Sequence, residues 1–129
     1  MSASKLRIAV PTRGDGGLED TVSEVFGRAN TFTIVDVDGE RVEAVDVLRN
    51  PAASYKYGAG PIVVKMLIDY GVNMVAAGEL GPGASGLLEQ HNVPIVTVKP
   101  GLLVAEAVKV ASRYTPDRKE RVGSPSLWV

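Results

Sequence analysis

The chain has 129 residues, 45% of them apolar and 22% charged, with a formal net charge of −1. Such a length and composition suit one globular unit with a sizeable core, and the lack of a basic excess argues against general nucleic-acid or membrane-surface binding. No cysteine is present, which excludes disulfides, thiolate-held zinc, cysteine-ligated iron–sulfur clusters and a cysteine nucleophile.

Met1 to Lys5 lead directly into a strand-like run without a signal-peptide core. No apolar stretch approaches the length of a membrane span, so a cytoplasmic setting is expected. Leu6, Ile8 and Val10 alternate with Arg7 and Ala9 and read as a first strand ending at Pro11-Thr12. Arg13-Gly14-Asp15-Gly16-Gly17 is too rich in glycine for an element interior and reads as a loop. After it, Val22, Val25 and Phe26 stand at helical spacing and predict a short turn or helix.

Phe32, Ile34, Val35 and Val37 make a second strand, and Asp38-Gly39 predicts a type I′ hairpin, whose two central residues both need positive φ. The third strand is Arg41 to Leu48, with a β-bulge expected where its alternation slips at Ala44-Val45. The period then changes. Gly60-Pro61 opens a helix with an inward stripe of Ile62, Val63, Met66, Leu67 and Tyr70, and Gly71 ends it. Val72 to Ala77 is nearly all apolar, as a strand covered on both faces should be. Gly78-Glu79-Leu80-Gly81-Pro82-Gly83 leads into a second helix with Ala84, Leu87 and Leu88 inward. Val93 to Val98 forms the fifth strand, and Val104, Ala107, Val108 and Ala111 face inward from a third helix.

The element order β-β-β-α-β-α-β-α predicts an α/β fold with helices packed on the faces of a mixed five-stranded sheet. Right-handed crossovers give the spatial order 3-2-1-4-5, that of a ribonuclease H-like sheet. Residues 1–114 form the predicted domain. The tail, residues 115–129, ends in Leu127-Trp128-Val129; disorder and a sheet-edge or dimer contact are both open for it.

Ligands of open α/β sheets settle beyond the carboxyl ends of the strands, where the winding reverses. That point lies between strands one and four. Three segments are expected there: the loop after strand one, with Arg13, Gly14, Asp15, Gly16, Phe26, Gly27 and Arg28; the lead into the first helix, with Tyr57, Gly58 and Gly60; and the loop after strand four, with Gly78, Glu79 and Gly81. Backbone N–H groups and the positive end of a helix dipole favour an anion there. Arg13 and Arg28 could grip an oxyanion, or could form surface ion pairs with Asp15, Glu19, Asp20 or Glu24. Phe26 reads as a core plug that anchors its loop.

Catalysis and metal ligation find little support. His91 is the sole histidine and falls at the end of the second helix, so no metal site is predicted. The acidic set Asp15, Glu19, Asp20 and Glu24 matches no trusted cation-binding spacing. A two-metal nuclease needs a carboxylate within strand one, where this chain has Ile8, Ala9 and Val10. No nucleophile–base arrangement is apparent either, and no enzymatic activity is expected.

Several residue runs occur together in order: Arg7-Ile8-Ala9-Val10-Pro11-Thr12; Phe26-Gly27-Arg28-Ala29 before Phe32-Thr33-Ile34-Val35; Gly58-Ala59-Gly60-Pro61; and Gly81-Pro82-Gly83-Ala84. On these the chain resembles the dinitrogenase iron–molybdenum cofactor biosynthesis family, which includes NifX and the C-terminal domain of NifB, over about residues 6–113. The resemblance implies the ribonuclease H-like fold and a binding or carrier role without turnover. Its ligand would be an iron–molybdenum or other metal–sulfur cluster, held non-covalently by Arg, Lys and backbone N–H groups. Members often carry histidine or cysteine before the first helix, where this chain has Tyr55-Lys56-Tyr57-Gly58, and a second glycine where it has Glu79. The alternative is an interaction module that docks on a partner enzyme or forms a homodimer without a ligand.

Overall fold

The computed structural model describes residues 5–114. Five strands, β1 (Lys5–Thr12), β2 (Thr31–Asp38), β3 (Arg41–Arg49), β4 (Met74–Ala77) and β5 (Ile95–Thr97), form one sheet in the order β3-β2-β1-β4-β5. Three helices, α1 (Ala59–Asp69), α2 (Pro82–Gln90) and α3 (Val104–Ser112), complete the expected element order. The tail from residue 115 onward lies outside the described residues.

The central strand β1 pairs antiparallel with β2 and parallel with β4, and is buried on both faces from Ile8 to Thr12. Alternation sorts its side chains. Ala9 joins Phe32, Ile34, Val63, Leu67 and Leu88 under α1 and α2, while Ile8 and Val10 join Val35, Met74, Val104 and Val108 under α3. Each face of the sheet thus has its own apolar layer. Phe26 meets Phe32 edge-on, with ring centroids 5.2 Å apart, a geometry that adds about 1 kcal/mol to the area these rings bury.

Four local expectations are revised. Between Thr12 and Thr31 there is no α-helix; a single 3-10 turn, Gly17–Glu19, is followed by isolated bridges from Thr12 to Val22 and from Thr21 to Leu103. Val22 packs under α3, Phe26 under α1, and Val25 is exposed. The spacing reflects a segment that crosses the sheet edge from one face to the other, rather than one helical stripe. The hairpin loop is Gly39-Glu40, since Asp38 pairs with Arg41, and only Gly39 has positive φ (65°). That matches the type II′ requirement of glycine at the first central position. The bulge lies slightly earlier than expected: register runs from Asp36↔Ala44 to Val37↔Val42, leaving Glu43 as the extra residue. In α1 the inward residues are Ala59, Val63, Val64 and Leu67, whereas Ile62 is exposed. Gly60 abuts Ala84 of α2, so the helix rolls its 60–64–67 side inward and carries Ile62 out.

At the opposite edge from the glycine loops, Arg7 joins three elements. Its Nε and Nη2 donate to the two Asp36 carboxylate oxygens at 2.8 and 3.1 Å, and Nη1 donates to the Tyr70 carbonyl at the end of α1. The Tyr70 hydroxyl donates to Asp46 at 2.9 Å, which, with partial desolvation, raises its pKa above the ordinary value. Asp36 and Asp46 are therefore held in structural bonds.

Candidate functional site

β1 and β4 run parallel side by side, so the winding reverses between them and leaves a crevice beyond their carboxyl ends. β3 is two antiparallel steps from β1 and therefore runs in the same direction as β1; Thr12, Thr31 and Arg49 lie in one row across the three strands. The chain leaving β3 consequently enters α1 at that same edge. This topology brings the start of α1 beside the start of α2.

A cleft of about 550 Å³ opens there. Its walls are Phe26, Gly27 and Arg28 from the first loop, Gly58 to Pro61 from the start of α1, and Glu79 to Gly81 with Gly83 and Ala84 from the start of α2. The walls meet through small residues. A Cβ on Gly27 would lie 3.1 Å from the Gly60 nitrogen, and one on Gly60 would lie 3.4 Å from the Ala84 Cβ. These two glycines permit close packing; Gly81 and Gly83 face open space.

Neither helix start is capped by a side chain: the N-cap residues are Gly58 and Gly81. The first N–H groups of a helix have no intrahelical acceptor. Those of Ala59, Gly60, Gly83 and Ala84 find none elsewhere among the described residues. Arg28 is exposed and likewise makes no hydrogen bond or ion pair among them. Glu24 and Glu79 also stand on the walls. Arg28 and the two helix-dipole ends would favour an anion in the cleft, and the two carboxylates would oppose it.

The thirteen predicted residues are divided. Phe26, Gly27, Arg28, Gly58, Gly60, Glu79 and Gly81 share this cleft. Arg13, Gly14 and Asp15 instead line a second cleft of about 620 Å³ with Thr31, Arg49 and Asn50. Gly78 borders a separate depression with Thr97 and Pro100, and a Cβ on it would meet Pro100 at 3.1 Å. Tyr57 projects into solvent, 88% exposed, and is not on the cleft wall.

The first glycine loop is closed by its own sequence. Asp20 Oδ2 accepts from the backbone N–H of Gly14 at 2.9 Å and of Gly16 at 3.1 Å, while Oδ1 accepts from Thr21 at 2.7 Å. Burial alone would raise the Asp20 pKa, but the backbone N–H groups outweigh it and hold the carboxyl below its ordinary value. The loop carbonyls are taken too: Asn30 Nδ2 donates to Arg13 at 2.9 Å, and the Thr31 hydroxyl donates to Gly14. Arg13 sits 3.7 Å from Glu24, an exposed ion pair of little energetic weight.

Residues 4–113 match the family model described as dinitrogenase iron-molybdenum cofactor. The chain belongs to that family. Its fold is shared with the apo form of the orange protein from Desulfovibrio gigas, at TM-score 0.72 and 31% identity over 84% of this chain and 88% of that one. A NifB-like protein from Thermotoga is similar at TM-score 0.66 and 33% identity, over 80% and 84% of the two chains. An uncharacterised protein of Methanocaldococcus jannaschii is 23% identical over 90 residues, which is 70% of this chain and 72% of that protein. The family is one of cofactor-biosynthesis and carrier-like proteins.

The donor set can be tested against a metal–sulfur cargo. No cluster of three or more His, Cys, Asp or Glu able to hold a metal ion occurs among the described residues, and the sequence has no cysteine. Direct ligation of a cluster by this cleft does not fit. Outer-sphere binding of an anion fits better, because the wall offers N–H donors and one guanidinium.

Sequence reading missed four residues. Ala59 and Ala84 supply N–H groups, and their only signal was position in a first helical turn beside Pro61 or Pro82. Asp20 was grouped with the surface acids although its side chain is internal to the loop. Asn50 falls in a loop by sequence, yet it is buried and its side chain donates to the carbonyls of Gly27 and Ala29. No local pattern marks that contact, which spans more than twenty residues.

Proposed function

We propose that the protein is a non-enzymatic binding or carrier protein that holds a small anionic ligand in the cleft between Arg28 and the starts of α1 and α2. The ligand class is a metal–sulfur cluster or its oxyanion or thiometalate precursor, bound through its outer oxygen or sulfur atoms. The observation that carries this reading is the pair of uncapped helix starts packed through Gly60 and Ala84 beside an unpaired arginine. Family membership supports the cargo class.

The role asked of each group is modest. Ala59, Gly60, Gly83 and Ala84 present N–H donors, Arg28 supplies the positive charge, and Phe26 gives the wall a rigid apolar base. Glu79 opposes the anion and would set how easily it leaves. Arg13, Gly14, Asp15, Gly16, Tyr57 and Gly78 take no part in this reading. The proposed setting is the cytoplasm; among the described residues no helix is long and apolar enough to cross a membrane.

Anaerobic titration with tetrathiomolybdate, followed by calorimetry and visible absorption, tests the proposal. The wild-type chain should bind, Arg28→Ala should bind roughly tenfold more weakly, and Glu79→Gln should bind more tightly. No heat and no spectral change with ligand in large excess would overturn it.

A second reading, docking on a partner enzyme or a second copy without a ligand, draws on one observation. β3 is the terminal strand of the sheet, and Val42 and Val45 on it are exposed. Analytical ultracentrifugation distinguishes the two: a stable dimer that dissociates in Val45→Asp, and that ignores thiomolybdate, would favour the second reading.

A further inference from the structure

The arginine of the proposed cleft sits on a short turn whose backbone is held from behind by one buried side chain. Asn50 directly follows β3 and is 7% exposed. Its Nδ2 donates to the Gly27 carbonyl at 2.9 Å and to the Ala29 carbonyl at 2.8 Å, the residues on either side of Arg28. Its backbone N–H donates to the Asn30 carbonyl at 3.1 Å. Its Oδ1 is taken by the Ala52 N–H at 2.9 Å, which fixes the amide so that both Nδ2 hydrogens face the turn. From the other side, Gly27 lies against the backbone of Gly60. The Arg28 side chain has no partner among the described residues, so the placement of its Cα depends on these neighbours.

We infer that Asn50 is a positioning residue for the anion site: it preorganises the Gly27–Ala29 backbone so that Arg28 stands ready at the cleft wall. This rests on the binding role proposed above. The physical reason is general. A guanidinium on a loop that must be ordered during binding gives back part of its interaction energy as lost freedom, whereas one on a turn already ordered does not. A buried amide that bonds to two carbonyls across a long sequence separation is also hard to replace. Alanine removes both donors and leaves two carbonyls unsatisfied. Aspartate keeps the shape but sets a carboxylate oxygen against both of them.

The test is a double-mutant cycle on tetrathiomolybdate affinity with Asn50→Ala, Arg28→Ala and the pair. Leu67→Ala, a core change that removes none of the turn's hydrogen bonds, serves as the control for lost stability. Asn50→Ala should weaken binding roughly tenfold in the wild-type background and scarcely at all once Arg28 is gone, while Leu67→Ala should leave affinity intact. Equal weakening in both backgrounds, or none in either, would overturn the inference. A second arm needs no ligand. Amide hydrogen exchange at Ala29, whose N–H donates to the Phe26 carbonyl at 3.2 Å, should quicken in Asn50→Ala and not in Leu67→Ala under conditions where both remain folded. Unchanged exchange there overturns the inference too. Failure of wild-type binding alone would instead strike the proposed function, with the exchange arm still deciding the role of Asn50.

Discussion

Two glycine-rich stretches meet the same edge of the sheet and do opposite things with their backbone donors. In the loop after β1, the Gly14 and Gly16 N–H groups point at Asp20, four to six residues away. At the starts of α1 and α2, the corresponding donors have no acceptor among the described residues. Glycine content is the same signal in both. What separates them is a carboxylate at the right distance along the chain: the first loop carries its own anion, and the second leaves the place open. A glycine-rich loop is thus an anion site only after its internal acceptors have been counted.

The largest expected effect comes from removing that internal anion. Asp20→Ala leaves the donors of Gly14, Gly16 and Thr21 without their acceptor, at a cost of about 2–3 kcal/mol. A melting temperature lower by roughly 10 °C should follow. The variant's first loop would then resemble the open helix starts, so added sulfate should stabilise it more than it does the wild type. Equal sulfate dependence would break the comparison.

Next comes close packing. Gly27→Ala places a methyl 3.1 Å from the Gly60 nitrogen, which must move. A loss of about 1–3 kcal/mol is expected in denaturant melts. The pH dependence is smaller and sharpens the assignment of Asp20. Its folded pKa lies below the ordinary 3.8, so its contribution to stability is complete above that value and is lost as pH falls through the folded pKa. The melting-temperature gap between wild type and Asp20→Asn should therefore be constant near neutrality and shrink below about pH 4. The smallest effect is expected at Gly83, which has ordinary φ and nothing within 4 Å of an added Cβ. Gly83→Ala should be neutral or stabilise by up to about 1 kcal/mol.

Much of the fold was legible because burial on both faces writes directly into strand composition. Ile8-Ala9-Val10 and Met74-Val75-Ala76-Ala77 read as central strands, and they are. Glycine and proline marked the starts of α1 and α2, and Val104, Ala107, Val108 and Ala111 gave the inner face of α3. Legibility failed where a periodic pattern had a different cause. Val22 and Phe26 stand four apart but lie on opposite faces, because the chain between them passes over the sheet edge. Ile62 looked inward until the Gly60–Ala84 contact set the roll of α1. The candidate site was partly legible: of the residues expected at the switch point, those at the helix starts share one cleft with Phe26–Arg28, whereas Arg13, Gly14, Asp15 and Gly78 line other depressions, Gly16 donates to Asp20 and Tyr57 projects into solvent.

Local periodicity and the handedness of crossovers were enough to set the order of elements, the strand order that follows from their connections, and the two-faced core. Which backbone donors are spent and which are free is a matter of three-dimensional packing. That outcome depends on contacts such as Asp20 with Gly14, Gly60 with Ala84, and Asn50 with Gly27, made by residues 6, 24 and 23 positions apart. Hydrogen bonds and close packing are short-ranged in space and indifferent to distance along the chain, so no local reading of residues could have assigned them.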